Sequence, residues 1–356
     1  MAKSSTSFVF VCFIFLIMGK SEAQLAPALY VFGDSTVDAG NNNAINTYAK
    51  SNYAPYGVDF PGGVTGRPTN GRNAADFIAL SLGLKAPPAF RLVNTSTLSD
   101  RCEGFNYASS SAGILPESGF KGTLSLGEQV DLFRKTVEEY LPLYFKSKDD
   151  LSMHVSKSIF LLVVGVNDYA LNFLKKKNSG QPFDDEAAAE LLREKFQNHL
   201  TELYNLGARK FVVFDIEAIG CLPIYVNQQK PPTSKCVDDL NSMVLKFNEK
   251  LPLKLQDLAV TLSGSAFIVG KNYEHILNLV ENPNNYGFKD ASNPCCALTP
   301  YGTCDGKRPP CEDRNSRVFF DAFHPTEAAY KIIAQNCFSG SGVCVPMNVL
   351  ELARLS

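Results

Sequence analysis

Histidine is scarce in this chain, with only four among 356 residues. Any chemistry that needs an imidazole must therefore use one of His154, His199, His275 and His324. Charge of one sign is also lacking. The formal net charge is −2, which favours neither nucleic acid nor an anionic membrane surface as a partner. Long apolar runs are missing beyond the first residues. The run "FVFVCFIFLIMG" holds about twelve apolar residues, short of the ~20 that span a bilayer. Lys3 precedes it, and small residues at Ser21 and Ala23 follow. This is the pattern of a secretory leader covering residues 1–23. No later segment is apolar enough to span, so no integral membrane segment is expected in residues 24–356. No linker, repeat or composition break divides that stretch, and it reads as one domain.

What is present agrees with a secreted route. Apolar residues make up 45% of the chain, enough for a sizeable core. Nine of the ten cysteines follow the leader: Cys102, Cys221, Cys236, Cys295, Cys296, Cys304, Cys311, Cys337 and Cys344. An oxidising compartment should pair most of them. The odd number leaves at least one free or paired between chains. Cys221–Cys236 and Cys337–Cys344 are candidate local pairs, and isolated Cys102 is the candidate free thiol. The cysteine spacings do not match a zinc site. Asn94 opens the sequon "NTS", a glycan acceptor in a secreted protein.

Strand and helix patterns alternate. "PALYVF", "SIFLLVV" at 158–164, "RKFVVF" at 209–214 and "SAFIVG" at 265–270 read as strands buried on both faces. Between them, Leu192, Phe196, Leu200 and Leu203 mark one face of a helix, with Asp184 or Asp185 to cap its start and Gly207 to close its end. Leu240, Val244, Phe247, Leu251, Leu255 and Leu258 mark another, which Pro252 should kink. This alternation predicts βαβ units and a mostly parallel sheet covered on both sides. The long loops at 52–73 and 281–316 are expected to build a site or to be held by disulfides.

Within "YVFGDSTVDAGNN" at 30–42, an apolar strand ends on Gly33-Asp34-Ser35. Ser35 is either an ordinary turn residue or a nucleophile at the carboxyl end of a parallel strand, where open α/β sheets place their chemistry. A nucleophilic serine needs a histidine oriented by a carboxylate. His154, His199 and His275 sit in helical or strand-flanking contexts that suit surface or packing roles. His324 lies in "FFDAFHPTEAAYKII", three residues after Asp321. Pro325 is expected at the first position of the next helix. The alternative for Asp321 and His324 is a helix cap beside an unrelated acid. Asn167, past the strand end in "VVGVNDY", can offer its amide to a developing oxyanion. The loop "GFNYASSSAGIL" at 104–115 can bring a backbone N–H close to a ligand.

In this order the four blocks resemble the SGNH/GDSL hydrolase superfamily, and most of all the secreted plant GDSL esterase/lipase family. "PYGVDFPGGVTGR", "NGRN", "NYASSSAGIL", "GVND", "LGARKFVVF", "GCLP", "ENPNNYGF", "FFDAFHPTEAAY" and "VPMNVLELA" extend the likeness over nearly all of residues 24–356. The resemblance implies a flavodoxin-like three-layer α/β/α sandwich. It also implies a secreted, extracellular serine esterase or lipase, one location being the cell wall. Ser35 matches the nucleophile, Asp321 the acid and His324 the base. The backbone N–H groups of Ser35 and Ser110 and the side chain of Asn167 match the oxyanion donors, and the serine run leaves Ser111 open in place of Ser110. The substrate is a small-molecule, lipid or polysaccharide ester, with no metal and no organic cofactor. An extracellular acyltransferase using the same site and a binding or signalling protein with negligible turnover are the alternatives.

The chain departs from the family pattern at Thr36, where the motif has Leu; at Ser110, where Gly is usual; and in "GRPTNGR", where Phe-Ser often precedes the Asn. No Gly-x-Ser-x-Gly elbow occurs, which argues against the ordinary α/β-hydrolase fold. No phosphate-cradling glycine loop follows the first strand, which argues against a flavin.

Overall fold

The computed structural model describes residues 24–93, 103–180, 182–232 and 235–356. The expected leader at 1–23, the sequon at Asn94 and Cys102 lie outside them.

Four short segments of aromatic and β-branched residues form the central parallel strands: β1 (Leu29–Gly33), β2 (Ile159–Val163), β3 (Lys210–Phe214) and β4 (Ala266–Gly270). All but Ala266 are buried, as strands covered on both faces should be. Helices Leu126–Lys135, Leu251–Thr261 and Val349–Arg354 pack against the sheet. A two-residue strand, β5 (Cys344–Val345), runs antiparallel to β4. Its brevity explains why no strand pattern announces it.

The other edge is less regular. Residues 103–109 run beside β1: Leu29 N donates to Glu103 O at 3.0 Å, Val31 N to Phe105 O at 2.9 Å and Tyr107 N to Val31 O at 2.8 Å. Val31 and Asn106 form a parallel bridge. With this segment counted, the parallel strands follow the order 2-1-3-4-5, the doubly wound order expected. The order reverses between β1 and β2, and the crevice beyond their carboxyl ends is the usual ligand position in such sheets.

The helix Asp185–Asn205 buries Leu192, Phe196, Leu200 and Leu203, and the Asp184 carboxylate accepts from Glu186 N and Ala187 N. Gly207, at φ 108°, ends it. The expected kink at Pro252 is instead a break. Helices Asp238–Asn248 and Leu251–Thr261 are separate, and Pro252 sits in the first turn of the second, where its missing N–H costs nothing. Pro325 also lies elsewhere than expected. The helix starts at Glu327 with Thr326 as its cap, so Pro325 precedes the cap. Four disulfides close Cys221–Cys236, Cys295–Cys311, Cys296–Cys304 and Cys337–Cys344. They include both pairs anticipated and tie down the long loop after residue 281.

Candidate active site

The end of β1 is built for close approach. A Cβ on Gly33 would lie 2.2 Å from Val163 O on β2, so only glycine fits. Gln129 brackets this residue, accepting from Gly33 N and donating to Gly33 O, each at 2.8 Å. Ser35 then emerges beyond the strand into a cavity of about 620 Å³ whose walls also include Ser111, Asn167, Glu217, Phe323 and His324.

The polar residues after Ser35 hold the neighbouring loop. Asp38 Oδ1 accepts from Gly40 N and Asn41 N, while its Oδ2 accepts from both Ser110 N (2.9 Å) and Ser110 Oγ (2.8 Å). Asn41 Nδ2 donates to Asn106 O and Ala108 O, and Asn42 Nδ2 to Ser110 O. The N–H of Ser110 is thus taken by Asp38 rather than aimed at the cavity. The N–H groups of Ser35 and Ser111 make no hydrogen bond among the described residues. Ser111 has φ 74°, a left-handed conformation that glycine adopts most readily. Asn167 follows β2, and its Nδ2 donates to Ala112 O at 2.9 Å. This leaves the second N–H of that amide available. Asp168 draws the same loop inward by accepting from Ile114 N, Leu115 N and Ser118 Oγ.

Asp321 and His324 occupy a tight hairpin closed by Phe320 N donating to His324 O at 2.8 Å. His324 Nδ1 lies 2.9 Å from both carboxylate oxygens of Asp321. The same carboxylate accepts from the backbone of Phe323 and His324, each at 2.8 Å, and from Tyr56 Oη at 2.7 Å. Burial by itself pushes the His324 imidazole down, but the opposing influences, led by the charge and hydrogen bond of Asp321, hold it above its ordinary value.

Residues 29–337 match the family described as GDSL-like Lipase/Acylhydrolase. The chain belongs to the GDSL esterase/lipase family. GDSL esterase/lipase 7 of Arabidopsis thaliana is 41% identical over 345 residues, covering 94% of each chain. GDSL esterase/lipase At5g08460 of the same plant is 38% identical over 358 residues, 96% of this chain and 92% of that one. The protein is thus a family hydrolase acting on carboxylic esters, and its four disulfides agree with the secretory pathway. None of its described helices is long and apolar enough to cross a membrane.

Three parts of this GDSL esterase/lipase have roles that the sequence did not assign. Tyr56 joins Asp321 to the disulfide-bonded loop, since its hydroxyl also accepts from Cys304 N at 3.1 Å. The "GRPTNGR" segment supports the histidine hairpin from below as well as bordering the cavity. Thr69 Oγ1 donates to Pro325 O, and Asn70 Oδ1 accepts from Glu327 N. Glu217 and Asp34 are buried carboxyls near His324. Burial pushes Glu217 up to about 8 and Asp34 up to about 6. No motif marks these roles, because each depends on contacts between segments far apart in the chain. The other histidines fill packing roles. His154 meets Tyr30 Oη at 3.2 Å, His275 is buried in its helix and His199 lies 3.7 Å from Glu202.

Proposed function

We propose that this protein hydrolyses acyl esters through Ser35, His324 and Asp321. The observation that carries the reading is that His324, held 2.9 Å from the buried Asp321 carboxylate, lines one cavity with Ser35. Ser35 Oγ attacks the acyl carbonyl as His324 Nε2 takes its proton. Asp321 holds Nδ1–H, which selects the tautomer with a basic Nε2 and stabilises the imidazolium. The oxyanion is held by Asn167 Nδ2 and the N–H groups of Ser35 and Ser111. Ser111 replaces Ser110 in this set because Asp38 already holds the Ser110 N–H. His324 then protonates the leaving alcohol, and water releases the acid. In the cell the leader at 1–23 is removed, and residues 24–356 act outside it as one unit.

The test is a double-mutant cycle on a short nitrophenyl ester. Ser35→Ala and His324→Ala should each lower kcat/KM by several orders of magnitude. The pair should lose little more, since residues that act as one unit are far from additive. Losses that multiply, or full activity in Ser35→Ala, would refute the triad.

A further inference from the structure

Glu217 is a buried side chain near His324 that ester hydrolysis leaves unused. It follows β3 and is 4% exposed. It borders the Ser35 cavity on one side and a void of about 10 Å³ with Thr36, Asn272 and Tyr330 on the other. Its hydrogen-bond donor among the described residues is Asn272 Nδ2, at 3.4 Å, the long end of the range. A carboxyl has capacity for about four bonds, and a buried polar group without partners is costly. Glu217 is also the sole acid among the residues lining this cavity, whose other walls include Val166, Leu171, Leu222 and Phe323. A ligand group entering the Ser35 cavity can supply such a partner.

We propose that Glu217 is the subsite for a hydroxyl on the alcohol half of the substrate, so that monoacyl esters of polyols are preferred over simple alkyl esters. The proposal rests on the triad assignment above, because His324 hands its proton to the leaving alcohol, and Glu217 lines the same cavity as His324. An alcohol half leaving from His324 shares that cavity with Glu217. Burial keeps the Glu217 carboxyl protonated near neutral pH. In that form it donates through O–H and accepts through C=O, the complement of a hydroxyl. The groups facing it are Asp34, His324, Tyr330 and Asn272, with Lys50 on the cavity wall.

The experiment compares kcat/KM for glycerol monobutyrate and propyl butyrate, each normalised to its rate in alkali. At pH 7 the parent should favour the glycerol ester by ~3–10-fold, the scale of one neutral hydrogen bond. Glu217→Leu should bring the ratio near one. Glu217→Gln should keep it, since an amide also donates and accepts. Above pH 8 the ratio should change in the parent, as Glu217 loses its O–H donor and becomes a charged acceptor, and hold in Glu217→Gln. A parent ratio within twofold of one, or an unchanged ratio in Glu217→Leu, overturns the proposal. Should Glu217→Leu fail to fold, identical pH dependence of the ratio in the parent and Glu217→Gln overturns it instead. Ser35→Ala is run alongside. Hydrolysis surviving there defeats the triad itself, a failure distinct from loss of the hydroxyl subsite.

Discussion

Tyr56→Phe tests how far the candidate base depends on residues distant in the chain. The substitution removes one oxygen from a buried ring and leaves the packing intact. Two hydrogen bonds disappear: Tyr56 Oη to Asp321 Oδ2 at 2.7 Å and Cys304 N to Tyr56 Oη at 3.1 Å. A bond to a charged group contributes ~1.5–3 kcal/mol, and an orphaned buried N–H costs ~1–3 kcal/mol. The two share one hydroxyl, so a combined loss of ~2–4 kcal/mol is expected. At ~2.1 cal/mol/K per residue, this is a fall of ~3–6 °C in Tm for a chain of this size. The effect on hydrolysis has its own sign. Without the Tyr56 donor, Asp321 carries a less neutralised charge and stabilises the imidazolium more strongly. The acid limb of kcat/KM against pH should therefore move to higher pH. Urea unfolding gives the first number, and a pH profile on an ester with no titrating group gives the second. A stability change under ~0.5 kcal/mol with an unmoved acid limb would refute the linkage.

For the parent, kcat/KM should rise with pH around a midpoint above ~6.5, because a general base must be neutral and His324 is held above its ordinary value. The stability contribution has the opposite slope: it is full below ~6.5 and is lost as pH rises through the folded value. A flat rate from pH 4 to 9 would count against a histidine base. Asn167→Ala should slow hydrolysis by ~10²–10³, and a loss under tenfold would remove it from the oxyanion site. Ser111→Gly should stay within ~1 kcal/mol of the parent with hydrolysis retained, as relief of the left-handed strain offsets the looser unfolded chain. Ser111→Val should cost more than ~1 kcal/mol, as denaturant midpoints would report. Asp76→Ala breaks a buried bidentate pair with Arg67, both bonds at 2.7 Å. It should cost ~3–5 kcal/mol, and a loss under 1 kcal/mol would contradict the burial argument.

The features legible in the sequence are those written locally. β1 to β4 stand out because each is a run of aromatic and β-branched residues covered on both faces. The Asp185–Asn205 helix stands out because its apolar period, its Asp184 cap and its Gly207 stop agree. Asp321 and His324 are readable because three residues suffice to close a hairpin around both. The edge segment 103–109 escapes this reading, since "EGFNYAS" has little strand character and pairs with β1 through its backbone. The setting of Ser110 is hidden for a related reason. Asp38, which takes its N–H, lies 72 residues away, and spacing says nothing of such a contact. Glu217 and Tyr56 are ordinary residues in sequence, and their setting comes from packing across the sheet ends.

The disulfide-bonded loop and the histidine hairpin share a seam. Cys295 N donates to Phe319 O and Cys296 N to Phe320 O, just ahead of Asp321, while Tyr56 bridges Cys304 to Asp321 itself. The parallel strands β1 to β4 are joined instead by their own ladders. Closing Cys295–Cys311 and Cys296–Cys304 therefore bears on the His324 hairpin as well as on the loop. During reoxidation of the unfolded chain, ester turnover should lag behind the return of secondary structure.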